Sequence, residues 1–600
     1  MDLPSPLDTL SPEEQRIVRE NLRPVTFTAG QCIFRAGDAG DGCYLIESGE
    51  VRLELVREHV DTDSVLGFIG LGSILGELAL LDGLPRSVTA YAETPVVAAH
   101  LPAGAITAIC DQRPVIGTGI VRALARDAAK KLRHTNERLG EYIVVDNSDD
   151  EIDETVKRGA IAQEQLAAWS EQQIDALLET VAKVVAANAE PLAAATVSET
   201  RLGNVADKTL KNLHASLGVF DFLVGKVGAG IVDVDASTQV TQIAGPVGIV
   251  FGLVPVTNPV ATIIFKVLIS IKARCALILS FNRSCMQVGN ASCGLIAKTL
   301  VESGAPANIV QWVRSRSTRA KTLKYMRHPG VSLILATGGP GMVRAAYSSG
   351  KPALGAGPGN VPVYIAADAD IEQAAASIVA SKSYDNGLIC GAEHNLVVHG
   401  SLYDRLSAAL ERHGAAVLNA EEVTKLETGA MRPGRDHVDP RLVGQSAAAI
   451  AATIGFQRPY TIKLIVAPAT PEHVEQASPL VAEKLAPIVS LLRARDDDEA
   501  FAISLKLLKH EGAGHTAIIH TASRSLAERF GIAMPAGRIL INSPGAQGIS
   551  GATTGLVPSF TLGCGTYGGN STTDNVSYHS LLNIKRLAHV VARAPNVRTS

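Results

Sequence analysis

The chain has 600 residues, too many for one hydrophobic core, so length alone predicts about three or four folding units. Its composition, 46% hydrophobic and 19% charged, is that of a globular chain, and a net charge of −4 offers no basic field to gather nucleic acid. The N-terminal Met-Asp-Leu-Pro-Ser-Pro lacks the basic and apolar regions of a signal peptide, and the longest apolar stretch, Val247–Ile271, is broken by Pro255, Asn258, Pro259 and Lys266, so a cytoplasmic chain with no membrane span is expected.

Residues 25–100 alternate short apolar runs with glycine turns: Val25–Phe27, Ile33–Phe34, Tyr44–Ile46, Val51–Leu55, Val65–Phe68, Val88–Tyr91 and Val96–Leu101. Strands at that spacing predict a β-roll or barrel. From Pro114 to Leu139 the pattern is helical and ends basic, through Arg122, Arg126, Lys130, Lys131 and Arg133. The acidic stretch Asp146–Glu154 reads as a linker or a helix start, because like charges resist packing, and it places a domain boundary at 141–154. Residues 152–218 then carry an Ala/Leu/Glu-rich helical period. From Val240 strands alternate with helices: Gly248–Leu253, Pro259–Lys272, Ala276–Ser280, Ala291–Glu302, Val331–Ala336, Met342–Ser348 and Val361–Ile365. That alternation predicts a parallel sheet with helices on both faces.

Within the first region, residues 76–87 read Gly-Glu-Leu-Ala-Leu-Leu-Asp-Gly-Leu-Pro-Arg-Ser. Gly76 permits close backbone approach, Glu77 can accept a ribose hydroxyl, and a helical turn at Leu78–Leu81 can aim N–H groups at a phosphate. Arg86 supplies a guanidinium and Ser87 a hydroxyl donor. The set suits a cyclic phosphodiester.

Eight cysteines are scattered without Cys-x-x-Cys pairs or zinc spacing, so reduced thiols and no metal are expected. Cys390 stands apart. It ends Ser-Lys-Ser-Tyr-Asp-Asn-Gly-Leu-Ile-Cys and precedes Gly391, which suits an exposed turn between helix and strand from which a thiolate can attack a carbonyl. Asn258, at the end of a buried strand, can offer its amide to the resulting oxyanion together with the Cys390 backbone N–H. The strand Val331–Ala336, then Thr337, Gly338, Gly339 and Gly341, then a helix from Met342, can receive a pyrophosphate. Thr257 and Ser280 complete the candidate dinucleotide contacts. After Ser280 the chain reads Phe-Asn-Arg-Ser, with no acidic residue for a ribose 2′-hydroxyl and with Arg283 able to tolerate a 2′-phosphate.

With Gly37 and Gly49 at earlier turns, the 76–87 segment resembles the phosphate-binding cassette of the cyclic nucleotide-binding domain family, over roughly residues 10–140. The segments 245–259, 336–352 and 538–571, with that around Cys390, resemble the CoA-acylating branch of the aldehyde dehydrogenase superfamily, over roughly 150–595. The two resemblances imply a multidomain chain: a β-roll of the cyclic nucleotide-binding fold at 1–140, an acidic linker at 141–154, and an α/β aldehyde dehydrogenase fold. The latter comprises a Rossmann-like cofactor subdomain at 155–358, an α/β catalytic subdomain at 359–565 and a C-terminal return at 566–600.

They also imply Cys390 as nucleophile, Asn258 as oxyanion donor, Glu483 as a ligand of the cofactor ribose, and His515 near the active-site face. Where hydrolytic relatives carry a glutamate base, this chain reads Gly355-Ala-Gly-Pro-Gly-Asn360, with no carboxylate. Water is a poor nucleophile without such a base, whereas a thiol of pKa roughly 8.5 needs much less help, so the predicted product is an acyl-CoA. The expected partners are a small aldehyde, CoA, NAD with NADP left open, and cAMP or cGMP. A homo-oligomer (dimer, tetramer or filament) is expected through 226–243 and 571–596. Two alternatives remain: a hydrolytic enzyme releasing a free acid, and a non-catalytic, cyclic-nucleotide-responsive scaffold.

Overall fold

The computed structural model describes residues 3, 7, 10–55, 64–142, 148–314, 318–431 and 438–590, with 55, 64–67, 130–142, 148 and 340 by backbone alone. They form two compact units, Met1–Val145 and Asp146–Ser600.

The first unit holds two four-stranded antiparallel sheets. One runs in the order Arg23–Phe27, Val96–Pro102, Gly42–Ser48, Ile74–Leu75, and the other Cys32–Phe34, Thr89–Ala92, Val51–Leu55, Ser64–Ile69. The period of two is visible along Gly42–Ser48: Cys43 and Leu45 join a core with Ile17, Ile106 and Leu124, while Tyr44 and Ile46 join a separate core with Phe34 and Ala98. The seven apolar runs all fall on strands, with only Val88 lying outside, one residue before Thr89–Ala92. The two-residue strand Ile74–Leu75 and the helices Pro12–Asn21 and Ala103–Gln112 were not foreseen, although Ser11 and Glu14 form a capping box at the first of these helices. The basic helix spans Pro114–Tyr142, and its Lys130, Lys131 and Arg133 side chains lie outside the described residues.

The second unit contains two parallel sheets. The five-stranded one has the order Val310–Trp312, Ala276–Phe281, Ile249–Val254, Val331–Ala336, Ala353–Gly355. The seven-stranded one runs Ala415–Val417, Leu464–Pro468, Ile488–Ala494, Glu393–His399, Val361–Ile365, Gly514–His520, Ala536–Ile541. Strands covered on both faces read as unbroken apolar runs, as Ile249–Val254 does with every residue buried. The helix Pro259–Lys272 is buried all round as well, which explains its apolar sequence; among the described residues no helix is long and apolar enough to cross a membrane. A third, antiparallel sheet joins Gly230–Asp235, Val240–Pro246 and Leu582–Ala588, while tail residues 591–596 lie outside the described residues.

The acidic stretch is a helix start. The helix Ser148–Ala167 presents Asp149 to Lys324 (2.9 Å), Glu151 to Lys321 (2.6 Å) and Asp153 to His328 (2.8 Å), and it buries Ile152. Of these carboxylates Asp149 and Glu151 lie in the first turn, where the helix dipole favours them. Their partners come from the distant helix Arg319–Arg327 and the residue after it, and 143–147 lie outside the described residues.

A buried ion cluster ties helix Glu171–Ala187 to the end of Pro259–Lys272. Glu171 pairs with Lys272 (3.1 Å) and Arg274 (2.8 Å), and Asp175 with Lys272 (2.6 Å). Burial alone would raise the Glu171 carboxyl, but the donors on Arg274 and Lys272 outweigh it and hold the group below its ordinary range. A depressed carboxyl contributes stability that is present above its unfolded pKa and lost as pH falls through the folded one. Glu171→Gln should therefore lower stability by about 1–3 kcal/mol at neutral pH. In thermal melts the gap to the unaltered protein should close as the pH is lowered below about 4.

Candidate active site

The segment leading to Cys390 is built on a strained turn. Asp385 (φ 48°) and Asn386 (φ 54°) are left-handed, a conformation that costs an L-residue about 1–2 kcal/mol. A dense set of bonds holds it. The Asp385 carboxylate accepts from Lys208 Nζ (2.9 Å), Lys211 Nζ (2.5 Å) and the Asn204 N–H (3.0 Å), while its own N–H donates to Asp207 (2.7 Å). Asp385 and both lysines are buried. Gly203 must be glycine here, because a Cβ there would stand 1.9 Å from Asp385 Oδ1.

The same lysines reach the candidate oxyanion donor. Lys211 Nζ donates to Asn258 Oδ1 at 2.7 Å, and Lys208 Nζ donates to the Thr257 carbonyl at 2.8 Å. An ammonium has only donors, so the Asn258 atom facing Lys211 must be oxygen and its Nδ2 is left as the free donor. The Asn258 carbonyl meanwhile accepts from Thr262 N–H and Oγ1 at the start of Pro259–Lys272. Burial pulls the Lys211 ammonium down to about 8, against the pull of Asp385.

Cys390 is half-buried and not on an exposed turn as expected, because the 355–360 loop lies against it. A Cβ at Gly359 would stand 2.0 Å from the Cys390 carbonyl oxygen. His515 Nε2 lies 3.3 Å from Cys390 Sγ, and His515 Nδ1 lies 3.0 Å from Thr516 Oγ1. Burial, then the Arg538 charge, holds His515 down to about 3, so its ring is neutral. Although part of Cys390 is open, its surroundings are dense enough that burial pushes the thiol up to about 12; Glu483 and Cys564 add to this and Arg538 opposes it. The resting pair is a thiol beside a neutral imidazole. Glu483 is itself raised to about 7 by burial, against the Gly359 N–H that donates to it at 2.9 Å. Arg538 is buried and donates to the carbonyls of His515 (2.8 Å) and Gly563 (2.6 Å).

The strand Val331–Ala336 runs into Thr337, Gly338 and Gly339 and then the helix Pro340–Tyr347, whose second residue is Gly341. Cβ atoms at Gly339 and Gly341 would meet nothing within 4 Å, so backbone at the helix start is open to an approaching group, which fits a pyrophosphate. Thr337 Oγ1 is 3.0 Å from Thr561 Oγ1, Met342 packs on the core, and Ser280 is buried at the carboxyl end of its strand.

In the first unit Gly76 (φ 84°) starts the short helix Glu77–Asp82, and a Cβ there would stand 2.2 Å from Arg86 Nη1. Arg86 is buried, donating to Asp41 (2.5 Å) and to the carbonyls of Gly76 (2.7 Å) and Gly42 (2.8 Å), over the ring of Phe34. Glu77 is buried, whereas Leu78 and Ser87 are exposed.

Lys208, Lys211, Asp385, Arg538 and Cys564 escaped sequence reasoning. Lysines three apart on one helical face were a faint signal for the first two; the others stand in segments distant from the groups they touch.

The aldehyde dehydrogenase family model matches residues 124–576, and the cyclic nucleotide-binding domain model matches residues 24–113. Aldehyde-alcohol dehydrogenase 2 of Entamoeba histolytica is 39% identical over 450 residues, covering 73% of this chain and 51% of that protein. Succinate-semialdehyde dehydrogenase (acetylating) of Clostridium kluyveri is 33% identical over 440 residues, covering 73% and 95%. The chain thus spans about half the length of the aldehyde-alcohol dehydrogenases it matches. Among solved structures, an acetylating aldehyde dehydrogenase from Geobacillus thermoglucosidasius superposes with a TM-score of 0.71 at 40% identity, over 74% of this chain and 98% of that one. A Rhodopseudomonas palustris propionaldehyde dehydrogenase, solved with bound CoA and an acylated cysteine, gives 0.64 at 26% identity, over 73% and 97%.

A thiol raised to about 12 is almost wholly protonated at neutral pH. The rate of Cys390 alkylation by iodoacetamide, followed by mass spectrometry, should climb about tenfold per pH unit from pH 7 to 9 without a plateau. His515→Ala should slow it.

Proposed function

We infer that this chain, which belongs to the aldehyde dehydrogenase family, oxidises a small aldehyde and releases it as an acyl-CoA by way of a thioester on Cys390, with NAD or NADP as acceptor. One observation carries the reading: a half-buried thiol stands 3.3 Å from a neutral imidazole, beside a loop, 355–360, that holds no carboxylate. As sulfur attacks the carbonyl, His515 Nε2 takes the thiol proton. The oxyanion that forms receives the Asn258 Nδ2 amide, set by Lys211, and the Cys390 N–H. A nicotinamide dinucleotide, when bound, supplies the hydride acceptor. Thr337, Gly338, Gly339, Gly341 and Met342 would border its pyrophosphate, and Thr257, Ser280 and Glu483 would be its remaining contacts. CoA then takes the acyl group by thiol exchange, and the relative solved with CoA and an acylated cysteine supports that step.

The second reading, release of a free acid, draws on Glu483. Its carboxyl titrates near about 7 and acts electrostatically on the Cys390 thiol, as a base for water would. In the first unit, cAMP or cGMP is proposed to bind at Gly76, Glu77, Leu78, Arg86 and Ser87 and to change turnover or assembly. Assembly is proposed through the three-stranded sheet, where Ile231 and Val234 are 61% and 63% exposed.

Product analysis separates the two chemistries. Acyl-CoA should form only with CoA present, and NADH or NADPH release without CoA should stop after one turnover; sustained acid release would refute the acylating reading. Asn258→Ala should lower kcat by about 100- to 1,000-fold, as loss of an oxyanion donor does elsewhere. Lys211→Met should lower it by a smaller factor with little change in KM.

For the first unit, Arg86→Ala should abolish cyclic nucleotide binding measured by calorimetry while leaving basal turnover unchanged. Binding that survives the substitution would refute the assignment.

A further inference from the structure

The strand Glu393–His399 begins shortly after Cys390 and lies parallel between Val361–Ile365 and Ile488–Ala494. Its first positions are polar where a strand covered on both faces is ordinarily apolar: Glu393, His394 and Asn395 are fully buried, and so is Asn360, which ends the 355–360 loop. Buried polar groups cost stability unless they are hydrogen-bonded, so the partners of these side chains show what they hold.

His394 Nδ1 lies 2.8 Å from the Lys484 backbone nitrogen. A backbone N–H can only donate, so Nδ1 accepts and the ring proton sits on Nε2, which has no hydrogen-bond partner among the described residues. Burial first, then the charges on Lys382 and Lys484 and the nearby His515, hold the ring well below its ordinary range against the pull of the Cys390 backbone, so the ring is neutral. Asn395 Nδ2 donates to Asn360 Oδ1 (2.8 Å) and to the Val481 carbonyl (3.1 Å), and Asn360 Nδ2 donates to the same carbonyl (2.9 Å). These bonds tie the strand to segment 481–484 and to the 355–360 loop. Glu483 sits between the tied residues: its carboxylate accepts from the Gly359 N–H of that loop (2.9 Å), and its own N–H donates to Glu511 (2.9 Å).

We propose that His394, with Asn395 and Asn360, is a positioning residue that holds Glu483 beside the Cys390 thiol. The strand that follows the nucleophile thereby sets where this carboxylate stands. After burial, Glu483 is the largest influence raising the thiol, with Cys564 adding to it, Arg538 opposing it and His515 at 3.3 Å. Around Glu483 itself, burial raises the carboxyl to about 7 against the Gly359 N–H; Glu511 adds to the rise, and Lys382 and Lys484 oppose it. Its negative charge is therefore present above about pH 7 and fades below, and its effect on the thiol follows. This inference rests on the reading of Cys390 as the nucleophile but asks what governs it.

Alkylation of Cys390 by iodoacetamide, resolved by peptide mass spectrometry on the full chain, tests it without cofactor or turnover. Glu483→Gln should speed the reaction about threefold or more near pH 8.5 and leave it unchanged near pH 6, because only the charged carboxylate opposes a thiolate. His394→Leu should do the same, and the double variant should be no faster than either single one. His394→Asn, whose Oδ1 can replace Nδ1 as acceptor, should match the unaltered protein. Should His394→Leu fail to fold in thermal melts, His394→Gln takes its place, since its amide lies at the Nε2 end of the ring, away from the Lys484 N–H. A His394→Leu profile like that of the unaltered protein, an equal change at both pH values, or effects that multiply in the double variant would overturn the positioning role, as would a Glu483→Gln profile without the pH dependence. Acyl-CoA formation is read separately in the product assay, so its failure would remove the dehydrogenase reading without altering these profiles.

Discussion

A single buried carboxylate organises the second unit's candidate site. Asp385 accepts from two buried ammonium groups, Lys208 and Lys211, and no water-rich surface is at hand to dilute the interaction. Removing one member of such a cluster strands the others in low dielectric, at a cost of about 3–5 kcal/mol. The cluster therefore behaves as a mechanical joint. It holds a left-handed turn five residues before Cys390, anchors the helix Val205–Leu213, and through the same lysines fixes Thr257 and Asn258 at the entry to the buried helix Pro259–Lys272. Three stretches remote in sequence are registered by one ion.

Around that joint the reactive groups rest uncharged. Burial raises the Cys390 thiol and lowers the His515 imidazole, so separating charge between them is unfavourable until something else stabilises the sulfur's reaction partner. In the proposed reaction an oxyanion held by amide donors does that, because the negative charge then leaves the sulfur for preorganised dipoles. A free thiolate would be reactive towards any electrophile; a thiol that ionises only in the act of addition is guarded. Arg538 contributes at both ends, opposing the rise at Cys390 and holding the His515 carbonyl.

The first unit uses a guanidinium differently. Arg86 is committed to Asp41 and two carbonyls within its own β-roll, and the left-handed Gly76 makes room for it. Its charge is thus neutralised locally, whereas Arg283 in the second unit is exposed. The contrast follows from the surroundings: a buried cation requires partners, and an exposed one is solvated by water.

Much of this was readable along the chain. Apolar runs at two-residue and helical periods placed the strands of the β-roll and the alternating elements from Ile249 to Ile365, since local pattern and burial agree there. Cys390, Asn258 and the 337–341 loop were picked out because their residue types suit one chemistry, and the structure brings Cys390 together with His515. The acidic run at 149–153 is exposed, as like charges imply, but nothing local in it shows that its partners Lys321 and Lys324 lie more than 150 residues away. Residue order alone therefore determined which elements form and which side chains carry reactive groups. Only the tertiary structure decided that Cys390 is half-buried and protonated, that Asn258 gives its Oδ1 to Lys211, and that Lys208, Lys211 and Asp385 belong to one cluster. Those properties depend on distance and dielectric between segments far apart in the chain, and neither quantity has a local signature.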